Sequence, residues 1–397
     1  MQQNRRGLTI TQFLILLFAV LLVIVGALYF FNNRQPVSTS SSSSSPSSVQ
    51  VINQNNQQGE YRSVISNGNY LTSSARGMTV TTESNFNAQS FELSLNELSK
   101  RFFSTRRYIF QEGQYLSSDL LSSWLDRYSN SNRSGLNPPD NGRTDDSRNP
   151  YYLQSIEEND FMNQVNGTKL NLEGMTIGLA MNRIDHYTRA LGGPEYTQNI
   201  SRAEMIAQGR TAAAKVLRRL RSMNQIPKDL PILIVMYENA PEDSLAGGAP
   251  YAYYLSKSGN TVGKWTNVDF QNVVFPKTDT DRSSIGTQDN TNFVNFKNEI
   301  QNFFPNISYA TAQAHYENGS LNGLNININT SFYSVSEIKA FATYIAETAP
   351  KYFNNSIPIR ISLSASNQLM AVITKDSNSS YRIIYLYSYR YILTGKL

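Results

Sequence analysis

The sequence predicts an α+β fold: two tandem related subdomains, each helix–strand–strand–helix–strand–strand, behind one transmembrane helix and a disordered linker. Three observations predict it. Runs of alternating apolar residues interleave with runs whose apolar residues recur at helical spacing. Two helix starts carry the same capping signature, Ser201-x-x-Glu204 and Ser334-x-x-Glu337. Two strand starts share an apolar–Pro–apolar pattern, Leu230-Pro231-Ile232 and Ile357-Pro358-Ile359, with proline where no ladder donor is needed.

Taken in chain order, the first element is apolar: Leu8 to Phe31 holds no charged residue. At 1.5 Å per residue a helix there spans roughly 36 Å, enough for a ~30 Å hydrocarbon core. Arg5 and Arg6 precede it, so the positive-inside bias keeps the N-terminus in the cytoplasm and sends the rest outside. Residues 1–34 are therefore read as a signal anchor, with cleavage near Val25-Gly26-Ala27 as the alternative. Residues 35–59, with the run Ser40–Ser45 and no charge, cannot offset their ordering entropy and read as a flexible tether.

The first unit is placed at 60–275. It opens with an amphipathic helix (Phe91, Leu95, Leu98, Phe102), then a strand at 108–113 that ends in a glycine turn. A long loop at 129–170 precedes a strand bearing Met175, Ile177 and Leu179. The capped helix from Ser201 and the strand from Pro231 would then make a right-handed crossover between parallel strands. A further strand covers Tyr251–Lys257. The second unit, 285–397, repeats the order with Phe293, Phe296, Ile300 and Phe303, a strand at 309–319, alternating Leu324, Ile326 and Ile328, the helix from Ser334, and strands at 357–361 and 369–375. Tyr385, Tyr387, Tyr389 and Tyr391 alternate along a last strand, with Ile384, Leu386 and Ile392 on its other face. That tyrosine row is either a stacking surface for sugars or peptides or one face of a buried strand.

Composition removes several chemistries. There is no cysteine, hence no disulfide, thiolate metal site or cysteine nucleophile. Three of the five net positive charges are Arg5, Arg6 and Arg34. The remainder is too balanced to mark a nucleic-acid surface. Nucleophile elbows, phosphate loops and His-Glu-x-x-His helices are absent from the sequence. Asp279-x-Asp281-x-Ser283 begins like a calcium loop but has Ser284 and Asn290 where glycine and glutamate belong. No cofactor or metal is expected.

Two loops, 183–200 and 238–249, would leave the carboxyl ends of the parallel strands, the edge where open sheets place ligands. Candidate ligand-binding residues there are Asn182, Asp185, His186, Arg189, Glu238, Glu242 and Asp243. A histidine among carboxylates suits a general base or a metal ligand, and equally a solvated polar loop. Glu112, flanked by aromatic residues, is the eighth candidate, either as an acid or as a structural pairing group. His315 reads as structural.

Several motifs resemble one family: Phe110-Gln111-Glu112-Gly113-Gln114-Tyr115-Leu116 with Trp124-Leu125, Gly135-Leu136-Asn137-Pro138, Gly178-Leu179-Ala180-Met181-Asn182, and Ala75-Arg76-Gly77. Over roughly residues 60–375 the chain resembles the CamS family of Gram-positive surface lipoproteins, described as sex-pheromone precursors. The resemblance implies a tandem structural repeat. It also implies a lipobox cysteine, and this chain has none. The expectation is a membrane-anchored extracellular protein that binds an envelope component, wall polymer or peptide, through its head and the bilayer through residues 8–31. The alternatives are an envelope hydrolase using carboxylates such as Glu112 or Glu238, and a precursor of a hydrophobic peptide.

Overall fold

The computed structural model describes residues 49–52, 59–79, 84–166, 169–278, 283–303, 307–331 and 334–386. The expected anchor at 8–31, most of the linker, Asp279 and Asp281, and Tyr387, Tyr389 and Tyr391 lie outside them. Among the described residues no helix is long and apolar enough to cross a membrane.

In chain order the elements are β1 (Val49–Ile52), β2 (Arg62–Ser66), β3 (Asn69–Tyr70), α1 (Asn85–Lys100), β4 (Ile109–Glu112), α2 (Ser118–Leu125), β5 (Leu153–Asn166), β6 (Lys169–Met181), β7 (Ile184–Thr188), β8 (Glu195–Asn199), α3 (Arg202–Ser222), β9 (Ile232–Glu238), β10 (Ala249–Ser256), β11 (Thr266–Asn267), β12 (Phe270–Phe275), α4 (Thr287–Phe303), β13 (Ile307–Glu317), β14 (Ser320–Thr330), α5 (Val335–Thr348), β15 (Ile359–Ala365), β16 (Gln368–Lys375) and β17 (Arg382–Tyr385). The mixed α+β class agrees with the sequence.

The first sheet has the order β1-β2-β4-β5-β6-β9-β10-β11, with β3 on β2; the second has β12-β13-β14-β15-β16-β17. The central strands correspond. β6 and β9 run parallel with Met175 opposite Ile232, and β14 and β15 run parallel with Leu324 opposite Ile359. Each crossover is pinned by the same hydrogen bond: Met175 N–H donates to Pro231 O at 3.0 Å, and Leu324 N–H to Pro358 O at 3.2 Å. Proline can start both strands because its carbonyl, not a donor, is what the neighbour requires.

The first sheet is covered on both faces. Met175, Ile177 and Leu179 of β6 and Ile232, Ile234 and Met236 of β9 pack with Val216, Leu217 and Leu220 of α3. The opposite face, Leu233, Val235 and Tyr237, packs under Phe91, Leu95 and Leu98 of α1. A strand covered on both sides reads as one apolar run, as Ile232–Tyr237 does. Gly178 permits the close approach of α1: a Cβ there would lie 2.6 Å from Leu95 Cδ2 and Phe91 Cζ. In the second sheet α4 and α5 share one face, with Phe293, Phe296, Ile338, Phe341 and Ile345 over Ile326, Ile328, Ile361 and Leu363.

Five readings need correction. The strand beside β6, as β13 is beside β14, is β5, inside the segment read as the loop 129–170; β4, matched in the sequence with the strand at 309–319, lies one place further out. β5 escapes a period-2 reading because Glu158 and Asp160 stand at inward positions. The segment 183–200 is a hairpin, β7 on β8. β1 lies within the segment read as linker, where Val49 and Val51 alternate with polar residues; Val51 packs toward Val64, Ile109 and Met162. β12, placed with the first unit, pairs with β13 of the second sheet. On β17, Tyr385 packs against the core while Ile384 and Leu386 are exposed, so the strand is covered on the tyrosine face and not on both faces.

Candidate functional site

β6 and β9 end at neighbouring positions, Met181 opposite Glu238. The segments that leave these two ends line one cleft of about 680 Å³, together with the first turn of α3 and residues 268–272. Its wall includes Arg183, Asn199, Arg202, Glu238, Asn239 and Tyr251. The segments 183–200 and 238–249 thus converge at the carboxyl edge of the parallel pair, where a crossover leaves room above the sheet.

Both arginines of the cleft are paired with Glu238. Arg183 Nη1 lies 2.6 Å from Glu238 Oε1, and Arg202 Nε lies 2.8 Å from Oε2. Arg183 Nε also donates to Ile200 O at 2.9 Å. Both carboxylate oxygens of Glu238 are therefore paired with arginines of the cleft wall. Tyr251 is buried, with its ring 5.8 Å from the Arg202 guanidinium carbon, and its hydroxyl has no partner among the described residues. Burial, then the Glu238 charge, pushes that phenol well above its usual range, so it stays protonated as a donor.

The remaining candidates divide. Asn182 is an internal strut: Nδ2 donates to Tyr151 O at 3.1 Å, and Oδ1 accepts from Asn239 Nδ2 at 3.2 Å. Asp185 is fully buried, ion-paired with Arg148 and accepting from Tyr151 N–H at 3.0 Å. It anchors the β7–β8 hairpin and is not open to a ligand. Arg189 stacks on Tyr196, 4.2 Å from the ring centroid, and lies 3.7 Å from Asp146. Asp243 is exposed in the turn closed by Ser244 N–H to Pro241 O. His186 and Glu242 border a small polar cavity of about 30 Å³ beside the cleft.

Glu112 is not brought to the cleft. Its Oε2 accepts from Ser73 N–H at 2.8 Å and its Oε1 lies 3.4 Å from Arg76. The motif around it is structural. Glu158 Oε1 and Oε2 accept from Tyr115 and Leu116 N–H at 3.0 and 2.8 Å, and Asp160 Oδ2 accepts from Gln114 N–H at 3.0 Å. Three successive amides thus cradle two buried carboxyls. Burial raises the Glu158 pKa, and burial with the Glu158 charge holds Asp160 well above the usual carboxylate range. His315 bridges Asn272 Oδ1 at 2.6 Å and Asn325 Nδ2 at 3.2 Å, the structural role expected of it.

Arg183, Arg202, Tyr251 and residues 270–272 carry no motif and were not among the sequence candidates. Only the position of Arg202 just after a helix cap hinted at a site. The Glu-x-Asp spacing at 158 and 160, two acids on one face of a strand, was a readable signal for the buried pair.

Comparison with known proteins places this geometry. The family described as "CamS sex pheromone cAM373 precursor" matches residues 70–381. A crystal structure of a sex pheromone precursor from Lactobacillus salivarius subsp. salivarius UCC118 is 42% identical, covering 86% of this chain and 100% of that one, with a TM-score of 0.81. The C-terminal domain of the sex pheromone staph-cAM373 precursor from Staphylococcus aureus is 26% identical, covering 77% of this chain and 98% of that one, with a TM-score of 0.66. No curated protein matches.

Proposed function

The chain belongs to the CamS family, and from this premise we propose that it is an extracellular, membrane-tethered surface protein whose cleft binds a neutral polar segment of wall polymer. The single observation that carries the binding reading is the cleft itself. Its two arginines, Arg183 and Arg202, are balanced by two carboxylates, Glu238 and Asp269, and its other polar side chains are amide and phenol: Asn199, Asn239, Tyr251, Gln271 and Asn272. Such a wall favours a hydroxyl- and amide-bearing ligand over an ion, because a charged ligand would have to break the Arg183–Glu238–Arg202 set. Phe270 in the same wall supplies an apolar surface suited to the ring of a sugar.

The membrane anchor is residues 8–31, supported by their uncharged length and the arginines before them. The two sheets are read as copies of one unit, supported by the matched registers and the paired proline hydrogen bonds. Among the described residues the cleft lies at the edge of the first sheet, where a β-hairpin and the 239–248 segment stand beyond the strand ends.

The test is titration of the full chain, in detergent, with solubilised wall glycan and separately with wall peptide. Saturable glycan binding without turnover is expected. Glu238→Ala, which frees two arginines, should weaken it about tenfold, roughly 1.4 kcal/mol. Binding of no envelope fraction would remove the reading. Protease added to intact cells should digest the head, and protection until lysis would remove the topology. Family membership also supports a second reading, in which a fragment of 8–31 is released as a hydrophobic peptide. Mass spectrometry of culture medium tests it.

A further inference from the structure

Beside the cleft, the β7–β8 hairpin and the 238–249 segment bring together His186, Glu195 and Glu242, whose ligating atoms all lie within 4.8 Å of one another. Their spacings are unequal, and the inequality is informative. His186 Nδ1 is 2.6 Å from Glu195 Oε1, a hydrogen-bond distance with no room for an ion between the two atoms. His186 Nε2 is 3.9 Å from Glu242 Oε2, too long for a hydrogen bond. An ion with bonds near 2.0–2.1 Å to each would hold the two atoms about 3.3 Å apart in tetrahedral geometry. Glu242 is half-exposed and can close that small difference.

Tautomer and geometry then agree. A carboxylate can only accept at Nδ1, so in the neutral imidazole the proton lies there and the lone pair is on Nε2, on the side of Glu242. A carboxylate on the far nitrogen is the usual support of a metal-binding histidine, since it fixes ring orientation and raises ligand basicity. A second observation points the same way. Asn239, in the wall of the cavity that His186 and Glu242 border, is 7% exposed, and its Oδ1 has no partner among the described residues. Its Nδ2 is held by Asn182 Oδ1, so the amide cannot turn its donor toward the carboxylate. A buried acceptor without a donor is costly unless water or a cation meets it.

We propose that His186 Nε2 and Glu242 bind a divalent transition-metal cation of the zinc type at this rim, with Glu195 as the positioning residue on Nδ1. Imidazole with carboxylate suits such ions better than calcium or magnesium, which prefer all-oxygen shells. Two protein ligands leave the other coordination positions to water and to oxygens of the cavity or of a molecule in the cleft. The site stands apart from the glycan reading and survives its failure.

The test is titration of the full chain in detergent with Zn²⁺ by calorimetry, and with Co²⁺ by visible absorption. One equivalent should bind the wild type, with a cobalt d–d band showing nitrogen ligation. His186→Ala and Glu242→Gln should each abolish it. Glu195→Gln should keep the band and weaken affinity about tenfold or more, as loss of a supporting carboxylate does. Absence of a one-equivalent phase in the wild type overturns the proposal. So does a His186→Ala protein that binds as wild type. Binding lost with Glu195→Gln but kept with Glu242→Gln would put the ion on Nδ1 and overturn the assignment. Far-UV circular dichroism of each variant separates ligand loss from unfolding.

Discussion

Gly113→Ala isolates the carboxyl cradle. A Cβ at Gly113 would stand 2.5 Å from Glu158 Cβ and 2.6 Å from its Cγ and Cδ. These are the inner atoms of a buried side chain, held at its far end by the Tyr115 and Leu116 amides, so it cannot swing away freely. Overpacking of this kind costs about 1–3 kcal/mol. If Glu158 rotates instead, its two charge-assisted bonds are lost, each worth about 1.5–3 kcal/mol. The chain takes the cheaper compromise, so the expected loss is about 3 kcal/mol. Urea unfolding followed by tryptophan fluorescence measures it, since Trp124 and Trp265, the only two tryptophans, both pack into the core cluster on one face of the first sheet. The midpoint should fall with little change in slope. Coupling gives the sharper number: in a Glu158→Ala background the same substitution should cost at least 1 kcal/mol less, on the scale of contact-pair interaction energies. A Gly113→Ala protein within about 0.5 kcal/mol of wild type, or a cycle with no coupling, would refute the steric reasoning.

The buried pair also sets a pH dependence. Folded pKa values of Glu158 and Asp160 raised by burial give stability that is complete below about pH 4, the unfolded value, and is lost as pH rises through the folded values. Asp160→Asn keeps an acceptor for Gln114 N–H without the ionisation, so melting temperatures between pH 4 and 8 should decline less steeply than in wild type; equal slopes would exclude the pair as their source. Ser201→Ala removes the oxygen that accepts from Glu204 N–H at 3.2 Å and should cost about 1 kcal/mol by chemical denaturation. Lys375 is buried and donates Nζ to Asn355 O at 2.7 Å and Ile357 O at 2.6 Å. Lys375→Met leaves both carbonyls unmet and should cost about 2–5 kcal/mol; a neutral result would mean that water reaches them.

Much of the fold was legible because its signals are local. The capping serines at 201 and 334 both accept from the amide three residues on, at 3.2 Å. The return half of the first box is diverted: Glu204 accepts instead from the Tyr152 hydroxyl, a partner supplied from the residue just before β5. Leu230-Pro231-Ile232 and Ile357-Pro358-Ile359 announced two strands, and two strands are there. The site was legible by edge and loop only. Topology put the two long segments at the carboxyl ends of β6 and β9, but Arg183, Arg202 and Tyr251 have no spacing that marks them. Asp185 and Asn182 look like ligands in a polar loop until Arg148 and Asn239 come to meet them.

The chain's own order of residues was enough to settle what depends on near neighbours: an uncharged run long enough for a bilayer, the absence of thiol chemistry, helix starts, strand starts and the α+β class. It could not settle which way a polar side chain faces, because that depends on donors from distant segments. Glu158 and Asp160 are inside the protein only because the amides of 114–116 arrive from beyond β4 to receive them. An inward carboxylate without such partners would be too costly to bury, so its place is decided by the packed structure.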